Sequence, residues 1–90
     1  MNGPRLSRER VLVVDDDPSI GRLLEVMLGA EGYRCTRAET VTEASEQLRR
    51  APFDVMVCDV RLPDGSGLDL VEGAIVSHPQ MAALVVSGLD

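Results

Sequence analysis

The stretch VLVVDDDPSI, residues 11–20, decides the fold. Its four unbroken apolar residues predict a short strand buried on both faces. The strand ends in three aspartates, and Asp17 suits the N-cap of a following helix. Pro18 then takes the first helical position, where a missing N–H costs nothing. Ile20, Leu23, Leu24, Met27 and Leu28 recur at i, i+3, i+4, i+7 and i+8 and predict an apolar stripe along that helix, with Gly32 suited to its C-terminus. A buried strand running straight into a helix opens a β-α-β unit, and the carboxylates lie at its turn.

The rest of the chain repeats this alternation. Residues 1–9 are polar and Arg-rich and are expected to be a flexible lead-in, so the folded unit spans 10–90. YRCTRA (33–38) reads as a second strand, more exposed than the first. Thr40 and Glu43 make a capping-box pair ahead of Val41, Ala44, Leu48 and Ala51, and Pro52 prevents that helix from continuing. DVMVCDV (54–60) is a second buried run, ending at Asp59. RLPDGSG (61–67) is a turn-rich loop, and Leu68, Val71 and Ile75 carry a third helix to about Ser77. AALVV (82–86) is a fourth strand, followed by Ser87. The order βαβαβαβ implies a parallel sheet with helices on both faces.

Composition narrows the function. The 90 residues suit one small domain, and 44% hydrophobic with 27% charged residues is ordinary for a globular chain. A net charge of -6 excludes a surface built for nucleic-acid phosphates, and all nine basic residues are Arg. Cys35 and Cys58 lack zinc-ligand spacing and read as small buried hydrophobes in a reducing cytoplasm. The N-terminus lacks the apolar segment of a secretory signal, and no run approaches the roughly 20 apolar residues of a membrane span.

The acidic residues carry the chemistry. In a parallel α/β sheet the functional crevice lies at the carboxyl ends of the strands. Asp15 and Asp16 follow the first strand and Asp59 ends the third. If those strands are neighbours, the carboxylates converge and need a shared cation. Oxygen-only ligands favour a hard ion, and few carboxylates with open positions favour Mg²⁺ over Ca²⁺. The ligand spacing and glycine of an EF-hand are not found after Asp15.

VLVVDDDPSI, DVMVCDVRLPDGSGLDL and ALVVSG, in this order and spacing, resemble the receiver domain of two-component response regulators. The resemblance implies a flavodoxin-like, doubly wound α/β sheet, here of order 2-1-3-4. It implies that Asp59 accepts a phosphoryl group from the histidine of a partner kinase. It places Asp16 and Asp15 around Mg²⁺, the latter largely through water, with Asp59 and the backbone carbonyl of Arg61 completing the shell. Ser87 corresponds to the hydroxyl that moves toward the phosphoryl group, and Pro63 and Gly67 to the turn beside the acceptor. Asp15, Asp16 and phosphorylated Asp59 would together carry about -4, lowered to about -2 by Mg²⁺.

The resemblance runs from Val11 to a chain end just past the fourth strand. The family's fifth strand, which begins with a Lys, and its fourth and fifth helices have no counterpart in these 90 residues, which contain no Lys. The expectation is a receiver truncated after the fourth strand, whose apolar edge invites a second chain. An output domain beyond the chain end is the other expected partner.

Two further readings belong to other classes. A truncated, non-phosphorylated interaction module would use the same exposed edge. A Mg²⁺-dependent phosphohydrolase would share the acidic site but needs a second acid for its leaving group, so the chain is expected not to be an enzyme. Asp17 reads as a helix cap, Asp64 and Asp69 as loop and first-turn residues, and the Met residues mainly as core. His78 beside Pro79 reads as solvated or capping, and Arg49 and Arg50 as a solvated face.

Overall fold

The computed structural model describes residues 9–86, so the lead-in through residue 8 and Ser87 lie outside the described residues. The elements are β1 Arg10–Val14, α1 Pro18–Ala30, β2 Arg34–Ala38, α2 Val41–Arg50, β3 Val55–Asp59, β4 Arg61–Leu62, β5 Gly65–Ser66, α3 Gly67–Ser77 and β6 Ala82–Val86. The main sheet is parallel with order β2-β1-β3-β6, which is the expected 2-1-3-4 of the long strands. The loop after Asp59 is more ordered than its turn residues suggested. It forms a small antiparallel hairpin in which Arg61 pairs with Ser66 and Leu62 with Gly65.

Register assigns the faces. Leu12, Met56 and Ala83 lie on one rung, and Val14, Cys58 and Val85 on another, all on the face that α2 and α3 cover. Leu12, Val14, Met56 and Cys58 are fully buried there, with Ala44, Leu48, Val71 and Ala74 packed on them from the helices. Full burial of such side chains is worth about 1.5–3 kcal/mol each before conformational entropy is subtracted, so this layer holds the fold together.

The caps follow the sequence. Asp17 accepts from the backbone N–H of Ser19 at 2.9 Å and caps α1. Gly32 has φ +95° just past the helix, a conformation that glycine adopts without strain. Thr40 Oγ1 accepts from Glu43 N–H at 3.0 Å, while Glu43 reaches back to the N–H of Glu39 at 2.7 Å.

Four expectations are corrected. The α1 stripe is split: Ile20, Leu24 and Leu28 are half-buried, but Leu23 and Met27 stand exposed. The reason is coverage of the opposite sheet face, where α1 rests on β1 and β2. Along one rung of that face exposure climbs from 1% at Val13, through half-buried Val57, to 60% at Leu84. In α3 the buried positions are Gly67, Val71 and Ala74, whereas Leu68 and Ile75 face outward. Cys58 is buried, but Cys35 is only half-buried because β2 is an edge strand. Asp64 is no idle loop residue; its carboxylate binds the start of α2.

Candidate functional site

Parallel pairing of β1 with β3 builds the site. Val14 is in register with Cys58, so the next residues, Asp15 and Asp59, emerge side by side at the carboxyl edge of the sheet. One carboxylate oxygen from each of Asp15, Asp16 and Asp59 lies within 4.8 Å of the others. Asp15 and Asp59 are buried, and Asp16 is exposed. The cluster is thus a small acidic cup, walled by two strand ends and open on the Asp16 side.

Hydrogen bonds hold both strand ends. Asp15 donates its N–H to the carbonyl of Ala38 at 3.0 Å, and its Oδ1 accepts from Asp17 N–H at 2.8 Å. Beyond Asp59, the N–H of Gly67 donates to the carbonyl of Val60 at 2.7 Å, closing the hairpin at its base. The Cys58 thiol donates to the Asp59 carbonyl at 3.2 Å. Gly67 is required by this approach: a Cβ there would overlap the Asp59 carbonyl oxygen and come within 2.9 Å of its carbon.

Electrostatics match this crowding. Burial raises the Asp15 carboxyl above its ordinary 3.8, opposed by the Asp17 N–H and reinforced by the charges of Asp59, Asp16 and Asp17. The Cys58 thiol is pushed up to about 11, first by burial and then by the charges of Asp59 and Asp15. Carboxylates packed this closely repel one another, and a bound cation relieves that repulsion. The donor set fits a hard divalent ion such as Mg²⁺, because it is all oxygen, part buried, and open on one side to water.

The predicted residues are placed as follows. Asp15, Asp16 and Asp59 come together. Arg61 opens β4 two residues beyond Asp59, and its N–H points at Asp59 Oδ1 from 3.5 Å, at the limit of a hydrogen bond. Ser87 lies outside the described residues; Val86, the last described residue, pairs with Asp59 across β3 and β6. Sequence reasoning missed Asp64, whose bonds to the residues opening α2 span more than 20 positions of chain. It also missed Ser66, which caps α3 by accepting from Asp69 N–H at 3.2 Å. Ser66 was legible as a polar residue just ahead of an apolar run; Asp64 carried no local signal.

Known proteins share this arrangement. The family described as the response regulator receiver domain matches residues 11–90. The response regulator protein PilR of Pseudomonas aeruginosa is 46% identical over 82 residues, covering 91% of this chain and 18% of its own length. A CheY-like receiver domain from Methanospirillum hungatei superposes with a TM-score of 0.89 at 33% identity, over 93% of this chain and 67% of that one. The response regulator TrrA of Thermotoga maritima, solved in complex with Mg²⁺ and BeF, superposes with a TM-score of 0.83 at 30% identity, over 88% of this chain and 69% of that one. The chain thus spans less than a fifth of PilR and about two thirds of the solved receivers. With its sheet order, its acidic strand ends and these likenesses, the chain belongs to the response regulator receiver domain family.

Proposed function

We propose that this chain is a phospho-accepting signalling domain, and that a partner histidine kinase phosphorylates it on Asp59 with Mg²⁺ present. The observation that carries the reading is the meeting of Asp15, Asp16 and Asp59 within 4.8 Å. The Mg²⁺ and BeF complex of TrrA, a structural relative, supports it.

In this reading an Asp59 carboxylate oxygen attacks phosphorus. A carboxylate O–P bond forms as the P–N bond of the donor phosphohistidine breaks, and the bond pair stays on the imidazole nitrogen. Asp59 is only 8% exposed, which limits the water that can reach the acyl phosphate. Asp16, Asp15, Asp59 and the carbonyl of Arg61 would hold Mg²⁺. When bound, the ion screens the charge of the incoming phosphoryl group. Exposed Asp16 leaves the open side through which a donor histidine can approach. Ser87 would offer its hydroxyl to a phosphoryl oxygen.

The domain is then a switch, not an enzyme, and it passes its state to a partner or an output domain. Among the described residues no helix is long and apolar enough to cross a membrane. Free Cys35 and Cys58 support a place in the reducing cytoplasm, beside the kinase's catalytic part.

The test is intact mass after incubation with Mg²⁺ and acetyl phosphate, beside an Asp59→Ala control. One added phosphoryl group, absent from the control, is the expected result. No addition to a folded sample refutes the reading.

One observation favours a second role, as an interaction module that needs no phosphate. Among the described residues β6 lies at the edge of the sheet without a charge or a proline, and its Leu84 is 60% exposed. Such an edge pairs readily with a second chain. Light scattering of the 90-residue chain tests it: a concentration-dependent dimer that Leu84→Lys dissolves supports it, and a monomer at every concentration refutes it.

A further inference from the structure

We infer that Asp64 is a positioning residue, a latch that ties the hairpin beside Asp59 to helix α2 and thereby tightens the acidic cluster around its ion. The inference rests on reading that cluster as a Mg²⁺ site.

Three bonds make the latch. Asp64 Oδ1 accepts from Val41 N–H at 2.7 Å. Its Oδ2 accepts from Thr42 N–H at 3.0 Å and from the Thr42 hydroxyl at 2.8 Å. The next residue lies close as well: a Cβ added to Gly65 would come within 3.2 Å of Val41 Cγ2. The carboxyl of Asp64 is held below its ordinary value by Val41 N–H and the Thr42 hydroxyl, as a carboxylate at a helix start should be.

Capping alone does not account for these bonds. Helix α2 already has its own cap, Thr40, which takes Glu43 N–H, and Ala44 N–H bonds within the chain to the carbonyl of Thr40. Val41 and Thr42 hold the first two N–H groups of the helix, out of reach of that cap. They are exposed or half-buried, so water can satisfy them if Asp64 is removed. The bonds therefore add little stability and much position.

What they position is a closed circuit. From Asp59 the chain runs through β4 to Asp64, crosses to Val41, steps back to Ala38 and reaches Asp15, whose N–H bonds to the Ala38 carbonyl at 3.0 Å. The circuit joins the two strand ends that carry the acidic cluster from outside the sheet. It also spans Arg61, whose carbonyl is assigned to the metal shell. Without Asp64 the hairpin tip is released, and the bond at its base, from Gly67 N–H to the Val60 carbonyl, is left to open more often.

The experiment compares Asp64→Ala, Asp64→Asn and Thr40→Ala with the unaltered chain. It uses calorimetric titration with Mg²⁺ alone, and hydrogen exchange at the Gly67 amide. Asp64→Ala is expected to weaken Mg²⁺ binding by about tenfold, the low end for groups that orient metal ligands. It should also speed Gly67 exchange, and Asp64→Asn, which keeps one acceptor, should restore part of both. Thr40→Ala removes the helix's own cap and should change neither. Unchanged Mg²⁺ affinity in Asp64→Ala, or an equal loss in Thr40→Ala, overturns the latch. An unaltered chain that fails to bind Mg²⁺ overturns the metal reading instead. In that case the latch stands or falls on Gly67 exchange in Asp64→Ala alone.

Discussion

The same substitution at two glycines of α3 should have opposite signs. Gly73 is exposed on the helix, and a Cβ built there meets nothing within 4 Å. Gly73→Ala removes the entropic penalty of glycine in a helix interior and should stabilise by about 0.5–1 kcal/mol. Gly67 is the first residue of that helix, and its Cβ would overlap the Asp59 carbonyl oxygen, with Cys58 Sγ only 3.1 Å away. All the close atoms are backbone or buried side chain, so no flexible group can swing aside. Relief requires moving the helix start or the β3 end, and overpacking of this kind costs about 1–3 kcal/mol. The two variants should differ by about 1.5–4 kcal/mol. At about 4–8 °C per kcal/mol in a domain this small, Gly67→Ala should melt well below the unaltered chain and Gly73→Ala slightly above it. Thermal unfolding followed by circular dichroism reads both. Because the clash falls on the Asp59 backbone, Gly67→Ala should also take up phosphate from acetyl phosphate more slowly at a temperature where it remains folded. A Gly67→Ala variant as stable as the unaltered chain would refute the claim that the hairpin base needs a residue without a side chain.

Other expectations follow from the same structure. The Asp15 carboxyl binds its proton more tightly folded than unfolded, so its own contribution to the stability of the metal-free domain should be lost as pH rises from about 3.8 through the raised folded value, opposite in sign to that of Asp64. Urea denaturation across that range beside Asp15→Asn checks the sign, and a difference between the two chains that does not change with pH would contradict it. Mg²⁺ at a hundred times its dissociation constant should stabilise by about 2.7 kcal/mol, and chelation should reverse the shift; Asp59→Ala should lose much of that gain. Burial and then the charge of Glu25 raise the Cys35 thiol too, but Cys35 is half-buried and should react with a thiol reagent in the folded domain at alkaline pH, while buried Cys58, whose thiol is pushed up to about 11, should wait for unfolding. Equal labelling rates would refute that difference. Leu48→Ala, truncating a buried side chain that packs from α2 into the core, should cost about 2–5 kcal/mol by denaturant titration.

Much of this protein is legible before any tertiary contact is known. The unbroken VLVV run, Asp17 with Pro18, Thr40 with Glu43 and the glycine past α1 each carry a signal spanning only a few residues. A strand buried on both faces needs apolar side chains on both, and a helix start needs an acceptor within reach. Those demands are local, so element order and capping follow from them, and alternation of strand and helix then implies a parallel sheet with Asp15, Asp16 and Asp59 at its carboxyl edge.

Tertiary structure decided which elements meet. Only the pairing of β1 with β3 sets Asp15 beside Asp59; had another strand come between them, the same sequence signals would have held with no shared site. The apolar stripe of α1 states that one face suits burial, but its depth depends on what lies opposite, and Leu23 and Met27 remain in water. Asp64 reads as an ordinary turn residue until the hairpin brings it to Val41 and Thr42, and Gly67, expected in the turn beside the acceptor, shows why it has no side chain only when the Asp59 backbone lies against it. Periodicity and caps act over one or two turns of chain, whereas these contacts join residues brought together only by packing around a common core.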